Sequence, residues 1–87
     1  MSLDDLKVFC DVVETGSFSR AAALNSVTQT AVSRKIQAIE AQLDCRLIER
    51  SKGRRGTTPT PAGATFYEGC REILGRYRDL VERVGES

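Results

Sequence analysis

Apolar positions recur along most of this chain with the spacing of helices. Ser2 can cap a first helix, with Asp5 in the reciprocal capping-box position, and Leu6, Phe9, Cys10 and Val13 then fall at i, i+3, i+4 and i+7. Gly16 is placed to end that helix in a left-handed turn, and Ser17 to cap a short second helix from Phe18 to about Leu24. Its Ala21, Ala22 and Ala23 have little bulk, so another helix can come close there. Asn25, Ser26 and Val27 read as a turn with one apolar plug, Val27. Thr28 caps a third helix from Gln29 to about Leu43, in which Val32, Ile36, Ile39 and Leu43, spaced 4, 3 and 4, form the buried stripe.

The pattern then changes. Arg46 to Arg50 reads as a short strand, Ser51 to Gly56 as a loop rich in glycine and cations, and Thr57 to Thr60 as a returning strand that Pro59 confines to an edge. Thr60 and Pro61 are a cap followed by an N1 proline, and they open a last helix reaching about Val84. Along it Phe66, Cys70, Ile73, Tyr77, Leu80 and Val84 are spaced 4, 3, 4, 3 and 4, an a/d seam, and Tyr67, Leu74 and Val81 widen the stripe. Gly69 and Gly75 interrupt it, each costing ~1 kcal/mol against alanine; they signal either close helix contact or a locally weak helix. The expected fold is mainly α: three helices and a two-stranded wing, a winged helix-turn-helix over residues 1–60, followed by a long dimerisation linker helix over 61–87.

That helix would be roughly 35 Å long, too long for so small a domain to cover one whole side. Two readings follow for its seam. Either Phe66, Cys70, Ile73, Leu74, Tyr77, Leu80, Val81 and Val84 pair with a second copy of the chain, or the stripe packs back on the first helix; in a division of the two, Phe66 and Cys70 pack back while Ile73 to Val84 pair.

Composition adds limits. At 87 residues, 40% apolar and 29% charged, the chain is one small globular unit, and no apolar run approaches the ~18 residues of a membrane span. Its acidic start lacks the regions of a signal peptide, so the expectation is a cytoplasmic protein with no membrane partner. The three cysteines, Cys10, Cys45 and Cys70, are far apart, form no C-x-x-C pair and are accompanied by no histidine; they read as reduced core thiols, with no metal and no cofactor expected. No phosphate-binding glycine loop and no acid–base cluster suggest an enzyme.

The net charge of +1 hides an uneven distribution. Residues 1–33 carry a net −2 and residues 64–87 a net −1, whereas residues 34–63 hold seven cations (Arg34, Lys35, Arg46, Arg50, Lys52, Arg54, Arg55) against three acids, a net +4. A polyanion would sit on that middle third, unless it is an ordinary solvated charged face. The outer face of the third helix carries Gln29, Thr30, Ser33, Arg34 and Gln37 near its N-terminus. Glutamine can pair with adenine, arginine with guanine, and hydroxyls with bases or phosphates, so this face is the candidate major-groove reader. The plainer reading is a helical hairpin with a polar outer face. The basic loop favours the first: Lys52, Arg54 and Arg55 can reach phosphates or a narrow minor groove, with Arg50, Lys35 and the hydroxyls of Ser17, Ser19 and Thr28 as further backbone or minor-groove contacts. Two-fold pairing would call for a roughly palindromic double-stranded site. A winged-helix module that binds protein is the alternative from another class.

Leu6 to Phe9, Gly16 to Ala22, Val27 to Ile36, Ile39 and Glu40, Leu43, Leu47 to Arg50 and Thr58 to Gly63 together resemble the N-terminal part of LysR-type transcriptional regulators, and the match covers nearly the whole chain in order and spacing. The resemblance implies a bacterial regulator whose linker helix forms an antiparallel pair in the dimer. It also implies that Gln29, Thr30, Ser33 and Arg34 face the major groove and the wing arginines the minor groove. It further implies a larger C-terminal domain, absent from this chain, through which a small-molecule effector would act. Three departures stand out: Thr30 where the family often has proline or serine, Cys45 where an apolar residue is usual, and Thr57-Thr58-Pro59 as an unusual second wing strand, which raises the expectation of an irregular wing.

Overall fold

The structure is a computed structural model that describes residues 1–50 and 56–86. Its order is α1 (Leu3–Thr15), α2 (Phe18–Leu24), α3 (Gln29–Leu43), β1 (Ile48–Arg50), β2 (Thr57–Pro59) and α4 (Pro61–Gly85). Local chemistry sets the helix ends. The Ser2 hydroxyl accepts from the Asp5 amide at 3.2 Å while the Asp5 carboxylate accepts from the Ser2 amide at 3.1 Å, closing the capping box. Gly16 ends α1 at φ 67°, and its carbonyl accepts from the Thr57 amide at 2.9 Å, so the α1–α2 turn also carries the second wing strand. Ser17, Thr28 and Thr60 cap α2, α3 and α4 in turn.

Helix α1 is the centre of the molecule. It packs against α2 and α3 on one side and α4 on another, which is why Val8 and Val12 are buried beside Leu6, Phe9 and Cys10, while Val13 is only partly covered. Small Ala21 and Ala22 let α2 approach closely, and Val32, Ile36 and Ile39 bury the inner face of α3. The turn between α2 and α3 is tied back to α1: the Asn25 amide group donates to the Asp11 carboxylate and to the Ala21 carbonyl, both at 2.8 Å, and its oxygen accepts from Lys7 at 3.0 Å. Val27 is no plug; the polar ties of Asn25 hold the turn and leave Val27 39% exposed. Leu43 and Cys45 also differ from expectation. The last turn of α3 is left uncovered, so Leu43 is 41% exposed, and Cys45 follows a left-handed Asp44 (φ 54°) onto the surface.

The two strands pair antiparallel, Ile48 with Pro59, Glu49 with Thr58 and Arg50 with Thr57, a regular register as far as the described residues run. They are shorter than expected because their flanks have other partners. The Leu47 amide donates to the Glu40 carboxylate at 2.7 Å, the Leu47 carbonyl accepts from the Thr60 amide at 2.9 Å, and the Thr60 hydroxyl donates to the Arg46 carbonyl at 2.7 Å. Gly63, in the first turn of α4, lies so close to this stretch that a Cβ there would collide with the Leu47 carbonyl.

Helix α4 is seated on α1 only through its first half. Phe66 meets Phe9 edge-on with centroids 4.9 Å apart, Cys70 is 1% exposed, and Tyr67 donates to Glu14 at 2.8 Å while accepting from Arg71 at 3.1 Å. Cys70, counted with the pairing seam on sequence, is therefore covered within the protomer by α1, and Phe66 is largely used there too. From Ile73 onward the seam is bare: Ile73, Tyr77, Leu80, Val81 and Val84 are about half or more exposed, with Leu74 half-buried. Gly69 and Gly75 have open space where a Cβ would stand, so neither marks a close contact within the chain. The helix reaches away from the body, and the molecule measures 52 × 26 × 19 Å.

Candidate functional site

The polar residues at the N-terminal end of α3 come together on one open face. Gln29, Thr30, Ser33, Arg34, Gln37 and, from the wing, Arg50 line a shallow surface depression. Gln29, Thr30, Arg34 and Gln37 are exposed and Ser33 is half-exposed. This face exists because Val32, Ile36 and Ile39 turn the other side of α3 into the core; helical spacing then points positions 30, 33, 34 and 37 away from it, while Gln29, one heptad before Ile36, is exposed as the first residue of the helix.

The root of the wing stands on the same side. Ser17, Phe18, Ser19, Gln29, Arg50, Gly56 and Thr57 line an adjoining depression, so the N-termini of α2 and α3 and the ends of both strands meet. The Thr57–Gly16 hydrogen bond holds the second strand there, and Gly56, at φ 95°, lies where a Cβ would approach the Gly16 carbonyl to 2.8 Å. Lys52, Arg54 and Arg55, the expected wing cations, lie outside the described residues. The hydroxyls of Ser17 and Thr28 accept the Arg20 and Ala31 amides as caps, and Ser17 and Ser19, which line the adjoining depression, are joined at 3.0 Å.

Lys35 does not join this group. It lies on the far side of α3, where its ammonium donates to Asp5 at 2.9 Å and stands 3.6 Å from Asp4, clamping α3 to the start of α1. The Lys35 hydrogen bond first, and the Ser2 amide second, hold the Asp5 carboxyl below its ordinary value of 3.8, and the same contact raises Lys35.

The depression lined by Arg34 and Arg50 has no acid in its lining among the described residues, which leaves it positive. Asp11 binds Lys7 and Asn25, and Glu14 binds Tyr67 and Arg71. Glu40 lines a neighbouring depression with Ser33, Gln37 and Arg50, and its carboxylate accepts from the Leu47 and Ile48 amides and lies 3.7 Å from Arg46. It ties α3 to the first wing strand. Glu40 is named on sequence only within the family resemblance and is given no role there, although an acid on the inner edge of α3, in the most basic third of the chain, is the available signal. Sequence reasoning also passed over Phe18 as a partner for Arg50, whose guanidinium carbon stands 4.3 Å from the Phe18 ring centre. No residue spacing announces that contact.

Among the described residues no group of three metal-ligating side chains forms, and no helix is long and apolar enough to cross a membrane. Cys10 and Cys70 adjoin in the core, where burial first and the neighbouring Cys70 second push the Cys10 thiol up to about 12; burial likewise raises Cys70.

Comparison with known proteins points one way. Residues 3–64 match the family model described as bacterial regulatory helix-turn-helix protein, lysR family. The chain is 45% identical over 87 residues to the uncharacterized HTH-type transcriptional regulator YvbU of Bacillus subtilis (strain 168), covering 100% of this chain and 29% of that protein. Among solved structures it is similar to the complex of the BenM DBD with catB site 1 DNA (TM-score 0.91, 35% identity, 99% of this chain and 93% of that one). It is also similar to the CbnR DBD in its DNA complex (TM-score 0.82, 39% identity, 98% and 99%). The chain spans less than a third of the length of the curated relatives it matches, 24% in one case and 29% in another.

Proposed function

The chain belongs to the LysR family of bacterial helix-turn-helix regulators, and from that premise we propose that it is the operator-reading part of a transcription regulator, binding double-stranded DNA as a homodimer. The observation that carries this reading is the shared face of α3 and the wing root, polar, positive and unobstructed. Gln29, Thr30, Ser33, Arg34 and Gln37 read base edges in the major groove. Arg50, Lys52, Arg54, Arg55 and the hydroxyls of Ser17, Ser19 and Thr28 meet the backbone or the minor groove. The clamp on Asp5 argues against the same role for Lys35.

Two copies join through the bare stripe of α4, Ile73, Leu74, Tyr77, Leu80, Val81 and Val84, which presents two reading helices to a roughly palindromic site. Residues 1–60 form the winged unit and 61–87 the linker. The whole regulator, in this reading, acts in the cytoplasm and takes a small-molecule effector through a further domain; the family membership supports the regulator part of it.

Selection of duplexes from a random pool at near-physiological salt is the test. A two-fold symmetric site is expected. Arg34→Ala should relax preference at one half-site position by about tenfold, and Lys52→Ala should weaken all sequences alike and flatten the salt dependence. Absence of any selected duplex, with salt-resistant capture of a protein instead, overturns the reading.

A further inference from the structure

We propose that Arg50 is a positioning residue for base reading: stacked on Phe18 and hydrogen-bonded to Ser33, it sets the Ser33 hydroxyl as a donor toward the duplex. The inference rests on the DNA-binding reading above. Arg50 ends β1, and its backbone is held by pairing with Thr57, whose amide in turn bonds to Gly16. Its side chain lies over the ring of Phe18, which is 7% exposed and cannot move without opening the core. From that platform Nη2 donates to the Ser33 hydroxyl oxygen at 3.5 Å, the long end of a hydrogen bond.

A serine hydroxyl has one proton and two lone pairs. With Arg50 donating to one lone pair, the proton cannot point at the guanidinium and is left to donate elsewhere. Ser33 then has its proton for an acceptor in the major groove, such as guanine O6 or N7, adenine N7 or thymine O4, and one lone pair fewer with which to accept from the cytosine amino group. A guanidinium is suited to this work because its flat face stacks while its edge donates. A lysine would keep the charge and lose both properties.

The arrangement separates two roles that a simple phosphate contact would merge. The experiment compares duplex selection profiles and salt slopes for the unaltered chain, Ser33→Ala, Arg50→Lys and the double variant. Arg50 is exposed, so Arg50→Lys leaves the core alone. Ser33→Ala is expected to flatten one half-site position about three- to tenfold. Arg50→Lys, whose ammonium still supplies the charge for the backbone contact assigned to Arg50 above, should flatten that same position while keeping the salt slope, and the double variant should add little to either. The inference is overturned if Arg50→Lys lowers affinity for all sequences equally, flattens a different position, or adds its full effect to that of Ser33→Ala. Failure of the unaltered chain to select any duplex overturns the DNA reading and this inference together; a normal profile unchanged by Arg50→Lys overturns the inference alone.

Discussion

Helices α3 and α4 both carry an apolar stripe, yet they leave opposite kinds of surface uncovered. Helix α3 buries Val32, Ile36 and Ile39 and turns Gln29, Thr30, Arg34 and Gln37 outward. Helix α4 buries Cys70 beneath α1 and then leaves Ile73, Tyr77, Leu80, Val81 and Val84 about half or more exposed. An exposed polar face costs nothing in water and holds its hydrogen-bonding groups ready for another molecule. An exposed apolar stripe of this length is unfavourable in water and stays bare only until something covers it. In the function proposed above the first serves for reading and the second for assembly, and one chain carries both about a shared central helix, α1.

The sharpest way to break the comparison lies where the two regions join. Gly63→Ala would drive a Cβ into the Leu47 carbonyl, which neither α4 nor the wing strand can yield easily. Destabilisation of about 3 kcal/mol is expected, read from the midpoint of a urea transition; a midpoint like that of the unaltered chain would show the close approach to be unimportant. Next in size, Tyr77→Lys with Leu80→Lys should weaken self-association by roughly tenfold or more in sedimentation equilibrium. Both residues are already half exposed, so the protomer's own fold is left intact. Unchanged association would mean that the bare stripe is not the pairing surface.

A smaller effect concerns how α3 is held. Asp5→Asn removes the clamp on Lys35 and should cost less than about 1 kcal/mol at neutral pH, since both partners are partly exposed. Because the folded state holds the Asp5 carboxyl below its ordinary value of 3.8, the clamp's contribution is full above that value and is lost as pH falls through the lower folded one. The stability gap between variant and parent should therefore close in acid; a gap that persists there would put the cause elsewhere. The smallest perturbation is a count of thiols. Of the three cysteines, Cys45 alone is exposed, so one thiol should react with an aromatic disulfide reagent in the folded chain and three after denaturation. Rapid reaction of a second would mean that α4 lifts from α1 readily.

Much of the fold was legible because its signals are local. The bounds of α2 and α3 agree with those read from caps and periodicity, since Ser17, Thr28 and the left-handed turn at Asp44 act within a few residues of themselves. The outer face of α3 was legible for the same reason: once Val32, Ile36 and Ile39 face inward, helical geometry leaves no other direction for Thr30 and Arg34. Cys45 and Leu43 were misjudged as core because an apolar residue in register with a stripe is buried only if some other element lies over it, and none covers that turn. Lys35 was grouped with the reading face by charge, whereas its direction around α3 and the acids on α1 assign it to the opposite side.

What the amino-acid order settled alone is therefore the set of elements, their ends and the side of α3 that faces out, all consequences of interactions spanning a turn or two of backbone. Only the tertiary structure decided which half of the α4 seam is covered, that Glu40 and Thr60 anchor the wing's root, and that Arg50 lies over Phe18 beside Ser33. Those outcomes depend on residues far apart in the chain meeting across packed helices. Periodicity says which residues need burying or a partner, but not which distant surface arrives to provide it.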